Sequence, residues 1–269
     1  MSDPENAAIY IERDMEAIEL LGFAGGQIAC ITRRSPQSTS ANEDAFALVP
    51  FGAGGVLVVA DGAGGTRGGK QASATLVYEM VANLEHAARE GTPLREAVLD
   101  GLECANREIQ ALGIGAATTA VVTTVEGTVV RPYHVGDSGI LLAGQKGKLK
   151  LQSIAHSPVG YAVESGYLPA DEAMHHEDRH LVSNMVGVPD MRIELGPPVE
   201  LSPRDTLLLA SDGLFDNLRL EEIVEILRKG SLSDSAEALL ALTDERMRRP
   251  SEVHPSKPDD LSVVLFRRE

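Results

Sequence analysis

Acidic residues recur at the ends of apolar, β-branched runs in this chain. Asp61 closes the run VLVVA and is followed by Gly62-Ala63-Gly64-Gly65, so few side chains shield it. Asp212 follows LLLAS and precedes Gly213, and Asp137 sits in the turn of YHVGDSG. Two acidic pairs come before such runs instead: Glu43 and Asp44 ahead of AFALV, Asp259 and Asp260 ahead of LSVVLF. In an antiparallel pair the end of one strand lies beside the start of its neighbour, so these carboxylates are expected to converge on one rim. Clustered carboxylates repel one another unless they are solvated or hold cations. With oxygen ligands only, the hard ions Mg2+ and Mn2+ fit best, and the glycines let backbone and substrate approach closely. Taken singly, each acid is an ordinary turn former. Their repetition at both kinds of strand end is what points to a metal site.

Other chemistries have less support. Ser138 and Ser211 lie beside aspartates, but no Ser/His/Asp or Cys-based nucleophile pattern surrounds them. Ser211 reads as a strand-end residue and Cys30 as part of the core. Cys30 and Cys104 have no metal-like spacing and read as free thiols of a reducing compartment. His175, His176 and His180 tempt a zinc assignment, but at that spacing in a polar loop they read as surface residues.

The elements that must position the acids follow from periodicity. Residues 7–21 are expected to form a short helix, with Ile9, Met15, Ile18 and Leu21 on one side. GGQIACIT reads as a strand, and DAFALVPF with VLVVA as a hairpin. Residues 70–90 and 92–112 read as helices, the second with Thr92 as N-cap and Pro93 in its first turn. From 118 to 153 the β-branched runs, broken by glycine turns, predict a meander of antiparallel strands. Residues 156–190 are less regular. DTLLLASDG is a further strand, 220–229 and 233–248 read as helices, and LSVVLF is a last strand. That order suggests an α+β sandwich rather than an alternating parallel sheet.

Composition bounds the partners. The 269 residues are 43% hydrophobic and carry a net charge of −16, which argues against broad nucleic-acid binding, since that needs a basic face. No apolar run approaches the length of about 18 residues read as a membrane span, and the acidic start MSDPENAAIY does not read as a signal peptide. A cytoplasmic monomer with one domain over 1–269 is the expectation.

NEDAF, VVADGAGG, ATTAVV, HVGDSG, LLLASDGLFDNL and DDLSVVLF occur in the order expected of the metal-dependent protein phosphatases, the PPM or type 2C serine/threonine phosphatases. The resemblance runs from about Gly26 to Phe266 and implies a four-layer αββα sandwich of two antiparallel sheets flanked by helices. It implies two central Mn2+ or Mg2+ ions that share a water, which attacks phosphorus directly. Residue by residue, Asp61 resembles the ligand common to both ions, Glu43 and the Gly62 carbonyl the shell of one, and Asp212 and Asp259 the ligands of the other. Asp44 resembles the group that hydrogen-bonds the water. Asp137, with Asp212, resembles the site of a third, weaker ion. Residues 160–187 resemble the flap of bacterial members. The implied partners are phosphorylated proteins, the substrates of a serine/threonine kinase.

Several positions depart from the family pattern. Thr39 stands where many relatives have arginine, Ala63 where eukaryotic members have histidine, Gly139 where GDSR has arginine, and Asp260 where asparagine is usual. A phosphate clamp is then expected from Arg33 or Arg34, which point to opposite faces if both lie on the strand; Arg33 is preferred, because Arg34 borders the Ser-Pro loop. A catalytically inactive metal-binding signalling module of the same fold is the alternative. A nuclease-like metal hydrolase is disfavoured by the charge and by the full motif order.

Overall fold

The computed structural model describes residues 6–63, 68–251 and 253–268. In chain order they form β1 (Ala8–Ile11), β2 (Glu19–Phe23), β3 (Gly26–Arg33), β4 (Ala45–Phe51), β5 (Gly54–Ala60), β6 (Gly62–Ala63), α1 (Gly69–Glu90), α2 (Leu94–Ala111), β7 (Ala117–Thr118), β8 (Ala120–Glu126), β9 (Val129–Val135), β10 (Gly139–Ala143) and β11 (Leu149–Gln152). There follow α3 (Pro158–Glu164), α4 (Ala170–Ala173), a 3-10 turn, β12 (Glu194–Leu195), β13 (Val199–Glu200), β14 (Thr206–Ala210), α5 (Asp212–Phe215), α6 (Leu220–Leu227), α7 (Leu232–Arg248) and β15 (Leu261–Arg268). One sheet has the order β1-β4-β5-β8-β9-β12, with β13 also on β9; the other runs β11-β10-β14-β15-β3-β2, and every pairing is antiparallel.

Strand alternation builds the layers. Phe46 and Leu48 of β4, Leu57 and Val59 of β5, Leu207 and Leu209 of β14, and Val264 and Phe266 of β15 meet between the sheets. Their neighbours face outward. Ala45, Ala47, Val56 and Val58 meet Leu76, Met80 and Leu84 of α1, and Leu208, Val263 and Leu265 meet Ile223, Leu227 and Leu239 of α6 and α7. Each such Val, Leu, Ile, Phe or Met side chain contributes about 2 kcal/mol by leaving water. The result is helices, sheet, sheet, helices: the expected four-layer sandwich.

Three local expectations are corrected. Residues 7–21 are not a helix. Tyr10 stacks on Phe46 between the sheets, with ring centroids 4.1 Å apart, while Ile9 and Ile11 pack toward α1. That is a period of two, and it fixes 8–11 as a strand. The N-cap of α2 is Pro93, without a side-chain cap, and not Thr92. Residues 118–153 are not one meander. β8 and β9 belong to the first sheet and β10 and β11 to the second, so the chain changes sheets at 136–138. Gly136 takes φ 108° there, and a Cβ at this position would collide with Thr119.

Candidate metal centre

The pairing register brings the acids together. Ala45 faces Ala60, so Asp44 and Asp61 leave the first sheet side by side. Ala210 faces Val263, which sets Ser211 and Asp212 beside the start of β15 and hence beside Asp259 and Asp260. The sheet change at 136–138 adds Asp137. Two clefts flank the rim. One, of about 230 Å3, is lined by Ser35, Ser40, Glu43, Asp61, Asp259 and Asp260; the other, of about 260 Å3, by Asp137, Asp212, Phe215, Asp216 and Arg179 among others.

Each acid is held by its surroundings. The Asp61 carbonyl accepts from Thr119 N (2.9 Å) and Thr118 Oγ1 (2.8 Å), and its N–H donates to Thr119 Oγ1 (3.0 Å). Thr119 Oγ1 also bonds Ser138 Oγ at 2.7 Å, tying Asp61 to the turn that carries Asp137. Asp44 is 1% exposed. Its Oδ2 accepts from Ser211 Oγ at 2.7 Å, and that hydroxyl accepts from Ser262 N at 2.9 Å. Glu43 stands against the start of α1: a Cβ on Gly69 would collide with its Oε2, and one on Gly62 with its carbonyl. Asp260 accepts from Ser35 N at 2.7 Å through one oxygen and from Glu43 N at 2.6 Å through the other. Two backbone donors, one for each oxygen, thus engage the carboxylate that stands in place of the usual asparagine. Gly139 is explained by Phe215, whose ring fills the space that any side chain there would need.

The rim is electrostatically frustrated. Burial pushes the Asp61 carboxyl well above its ordinary range, and Asp212, Asp44, Asp259 and Asp137 push the same way. Burial raises Asp44 as well, against the opposing pull of Ser211. Burial and Asp212 carry Asp137 and Asp259 each to about 7, with Lys257 pulling both back. Burial and Asp260 raise Glu43. For Asp212 burial acts upward too, but the adjacent Lys257 ammonium overcomes it and holds the group below its usual value. Asp44 Oδ1 and Asp212 Oδ1 are buried and have no hydrogen-bond donor. Unpartnered carboxylate oxygens in a dry, acid-rich rim are what hard divalent cations satisfy, so the residues present fit the implied ions.

The expected residues Glu43, Asp44, Asp61, Gly62, Asp137, Asp212 and Asp259 are thus on one rim; the Gly64 and Gly65 end of the glycine loop lies outside the described residues. The arginines differ from expectation. Arg33 shares the outward face of Ile31, and its guanidinium is committed to the Met15 and Glu16 carbonyls, both at 2.9 Å. Arg34 is exposed, 3.4 Å from the Ser40 carbonyl and 3.7 Å from Asp14; burial raises the Asp260 carboxyl, and the Arg34 charge is among the groups that partly offset it. Sequence reasoning assigned no role at the rim to Ser211, Thr118, Thr119, Asp216 or Lys257; of these only Lys257 stood outside the quoted motifs.

A second buried cluster lies on the other side of the 136–138 turn. His134, His156 and Glu194 place one ligand atom each within 4.8 Å of one another. Its hydrogen bonds occupy every imidazole nitrogen but His134 Nδ1, which is buried without a partner. His134 Nε2 donates to the Ser138 carbonyl. His156 Nδ1 accepts from Gly136 N and Asn184 Nδ2, so its proton sits on Nε2 and goes to Glu194 at 2.9 Å. Burial lowers His134 to about 3. His175 and His180 are exposed and His176 half-buried, with its Nδ1 capping the 3-10 turn.

The sequence matches the protein phosphatase 2C family over residues 33–256. The protein phosphatase PhpP of Streptococcus pneumoniae is 31% identical over 195 residues, 69% of this chain and 78% of the relative. Among solved structures, the serine/threonine phosphatase of S. agalactiae superposes with a TM-score of 0.78 at 26% identity, covering 91% of this chain and 100% of that one. The catalytic domain of the serine/threonine protein phosphatase PstP, solved with two manganese ions, gives a TM-score of 0.68 at 25% identity, over 89% of this chain and 96% of that one.

Proposed function

Because the chain belongs to the protein phosphatase 2C family, we propose that it is a serine/threonine protein phosphatase that hydrolyses phosphomonoesters with two Mn2+ or Mg2+ ions held by the acid rim. The observation that carries this reading is the pair of unpartnered buried oxygens, Asp44 Oδ1 and Asp212 Oδ1, inside a ring of mutually repelling carboxylates. Bound there, the ions would lower the pKa of a shared water and offset charge on the phosphoryl oxygens.

The chain's own groups do the rest. Asp61 shares one cleft with Glu43, Gly62 and Asp259 and feels the charge of Asp212, so it is the carboxylate proposed to serve both ions, and the two threonines keep its backbone from moving. Asp44 is turned by Ser211 so that Oδ1 alone is left to accept from the attacking water. Ser211 and Ser138 are unavailable as nucleophiles, since both hydroxyls are engaged in buried hydrogen bonds. Water is therefore the attacking group. Arg34, rather than Arg33, is the cation proposed to orient a phosphate at the rim, because two N–H groups of Arg33 are tied to the Met15 and Glu16 carbonyls on the outward face of β3.

The substrates proposed are cytoplasmic phosphoproteins made by serine/threonine kinases, with 1–269 acting as one catalytic domain and 160–187 as its flap. Every expected ligand carboxylate is present on the rim, which favours an active enzyme over an inactive module. Hydrolysis of p-nitrophenyl phosphate and of a phosphothreonine peptide, titrated with Mn2+ and Mg2+, tests this. Turnover that appears with metal and disappears with EDTA is expected. Absence of turnover with either ion, or turnover indifferent to EDTA, overturns it.

A further inference from the structure

The acid rim already contains a cation of its own. The Lys257 ammonium lies 2.6 Å from Asp212 Oδ2, 2.6 Å from Asp216 Oδ2 and 3.3 Å from Asp259 Oδ2. Of its three donors, one goes to Asp212 and one to Asp216, and Asp259 completes the ring of carboxylates as an ion-pair partner.

The position is built into the fold. Lys257 N donates to Asn217 Oδ1 at 2.8 Å, and the Lys257 carbonyl accepts from Asn217 Nδ2 at 2.8 Å. The same Nδ2 reaches the Gly213 carbonyl at 2.9 Å. Asn217 is fully buried, and its own carbonyl accepts from Arg246 Nη1 at 2.6 Å. Thus α5, the single turn that presents Asp212 and leads into Asp216, also fixes the lysine backbone. The two oxygens of Asp212 are divided: Oδ2 goes to the ammonium, while Oδ1 is buried with no donor. Asp216 belongs to the outer side alone; nothing in the ligand set expected for the central pair includes it.

We propose that the Lys257 ammonium is a tethered replacement for a third divalent cation. It neutralises the outer side of Asp212 together with Asp216 and leaves Asp212 Oδ1 and Asp61 to the central pair. The chain then takes up two ions, and Asp137 is a nearby charge rather than the ligand of a third. A tethered charge is present at any concentration of free metal, so the outer side needs none from solution. This rests on the two-ion reading above.

The test counts ions rather than turnovers. Mn2+ binding is measured by calorimetry on the wild type, Lys257→Met and Lys257→Arg, and ion positions by anomalous scattering from Mn2+-soaked crystals. The wild type should bind two Mn2+ with the ammonium still on Asp212 and Asp216. Lys257→Met should gain a third ion among Asp137, Asp212 and Asp216, at least about tenfold tighter than any third ion of the wild type, as loss of a neighbouring positive charge requires. Lys257→Arg should return to two. A third wild-type ion between Asp137 and Asp212 with Lys257 displaced overturns the proposal and leaves the two-ion reading standing, and that measurement needs no variant to fold. An unchanged count of two in a folded Lys257→Met also overturns it. A wild type that binds no Mn2+ overturns the two-ion reading itself, and the proposal with it.

Discussion

The acid rim and the histidine cluster sit on either side of one turn, and both are buried groups of ionisable side chains. They differ in the balance of donors and acceptors. Around His156 each partner faces its complement, since Gly136 and Asn184 donate to Nδ1 and Nε2 donates to Glu194; His134 Nε2 donates to a carbonyl, and its Nδ1 is the one neutral nitrogen of the cluster left buried without a partner. In the rim, acceptors outnumber donors, and two buried oxygens have none. Proximity of ligand-type residues therefore does not distinguish a metal centre; a surplus of mutually repelling anionic acceptors does. The histidine cluster is a clasp. It holds the 134–138 backbone on which Asp137 is carried and ties it, through Asn184 and Ser183, to the segment after α4 and the 3-10 turn.

The comparison can be broken at either end. The largest effect belongs to Asp61→Ala, which removes the carboxylate on which Asp212, Asp44, Asp259 and Asp137 all act. Losing about 4 kcal/mol of transition-state stabilisation lowers kcat on the order of 10^3-fold, measured on a phosphothreonine peptide at saturating Mn2+. Near-normal rates would show that the rim is not the centre. His156→Ala should instead act on stability: the variant leaves Glu194 and the Gly136 N–H without their partner and costs about 1–3 kcal/mol in denaturant unfolding. The Mn2+ count should not change. Stoichiometric Zn2+ uptake by the wild type that His134→Ala abolishes would make the clasp a metal site after all.

pH sharpens the contrast. Asp137 and Asp259 rise from 3.8 to about 7 on folding, and Asp216 to about 6. The unfolded chain releases these protons near pH 4, the folded chain only near 6–7, so the stability they contribute is lost as pH climbs through that window. Asp212, held low by Lys257, acts the other way, losing its contribution only as pH falls below about 4. In EDTA the melting temperature should decline between pH 5 and 7.5, and Mn2+ should abolish the decline. A flat profile in EDTA would mean that the rim is not frustrated. The smallest effect is Arg34→Ala, expected to raise KM for the peptide by about fivefold, near 1 kcal/mol. Arg33→Ala should leave KM alone and lower the melting point, because its guanidinium ties β3 to the 15–16 backbone.

Much of the rim was legible because strand ends are local. An apolar run stopping at an acid can be read from one segment, and antiparallel pairing then joins the segments. Residues 7–21 misled because Ile9, Met15, Ile18 and Leu21 fit a helical face about as well as two short strands; only the Tyr10–Phe46 stack decides between them. The change of sheet at Gly136 was hidden, since a glycine turn looks the same whether the next strand pairs with the last or leaves for another sheet. The choice between the arginines needed the Met15 and Glu16 carbonyls, which lie on a different strand connection. Lys257 was illegible for the same reason: its role depends on Asn217, 40 residues earlier in the chain, and on a helix of one turn.

β15 is the last strand of the rim to be synthesised. It lies between β14 and β3, and until it docks the second sheet is two separate pieces with open edges. Ser35 and Asp260, which bond across it, are 225 residues apart. A nascent chain carrying every earlier carboxylate still lacks Asp259, the lysine and the strand that registers them. Such long-range closure is slow, and it leaves unpaired edges exposed to aggregation meanwhile. It also means that a partly made chain has no assembled centre: the phosphatase cannot act before its fold is complete.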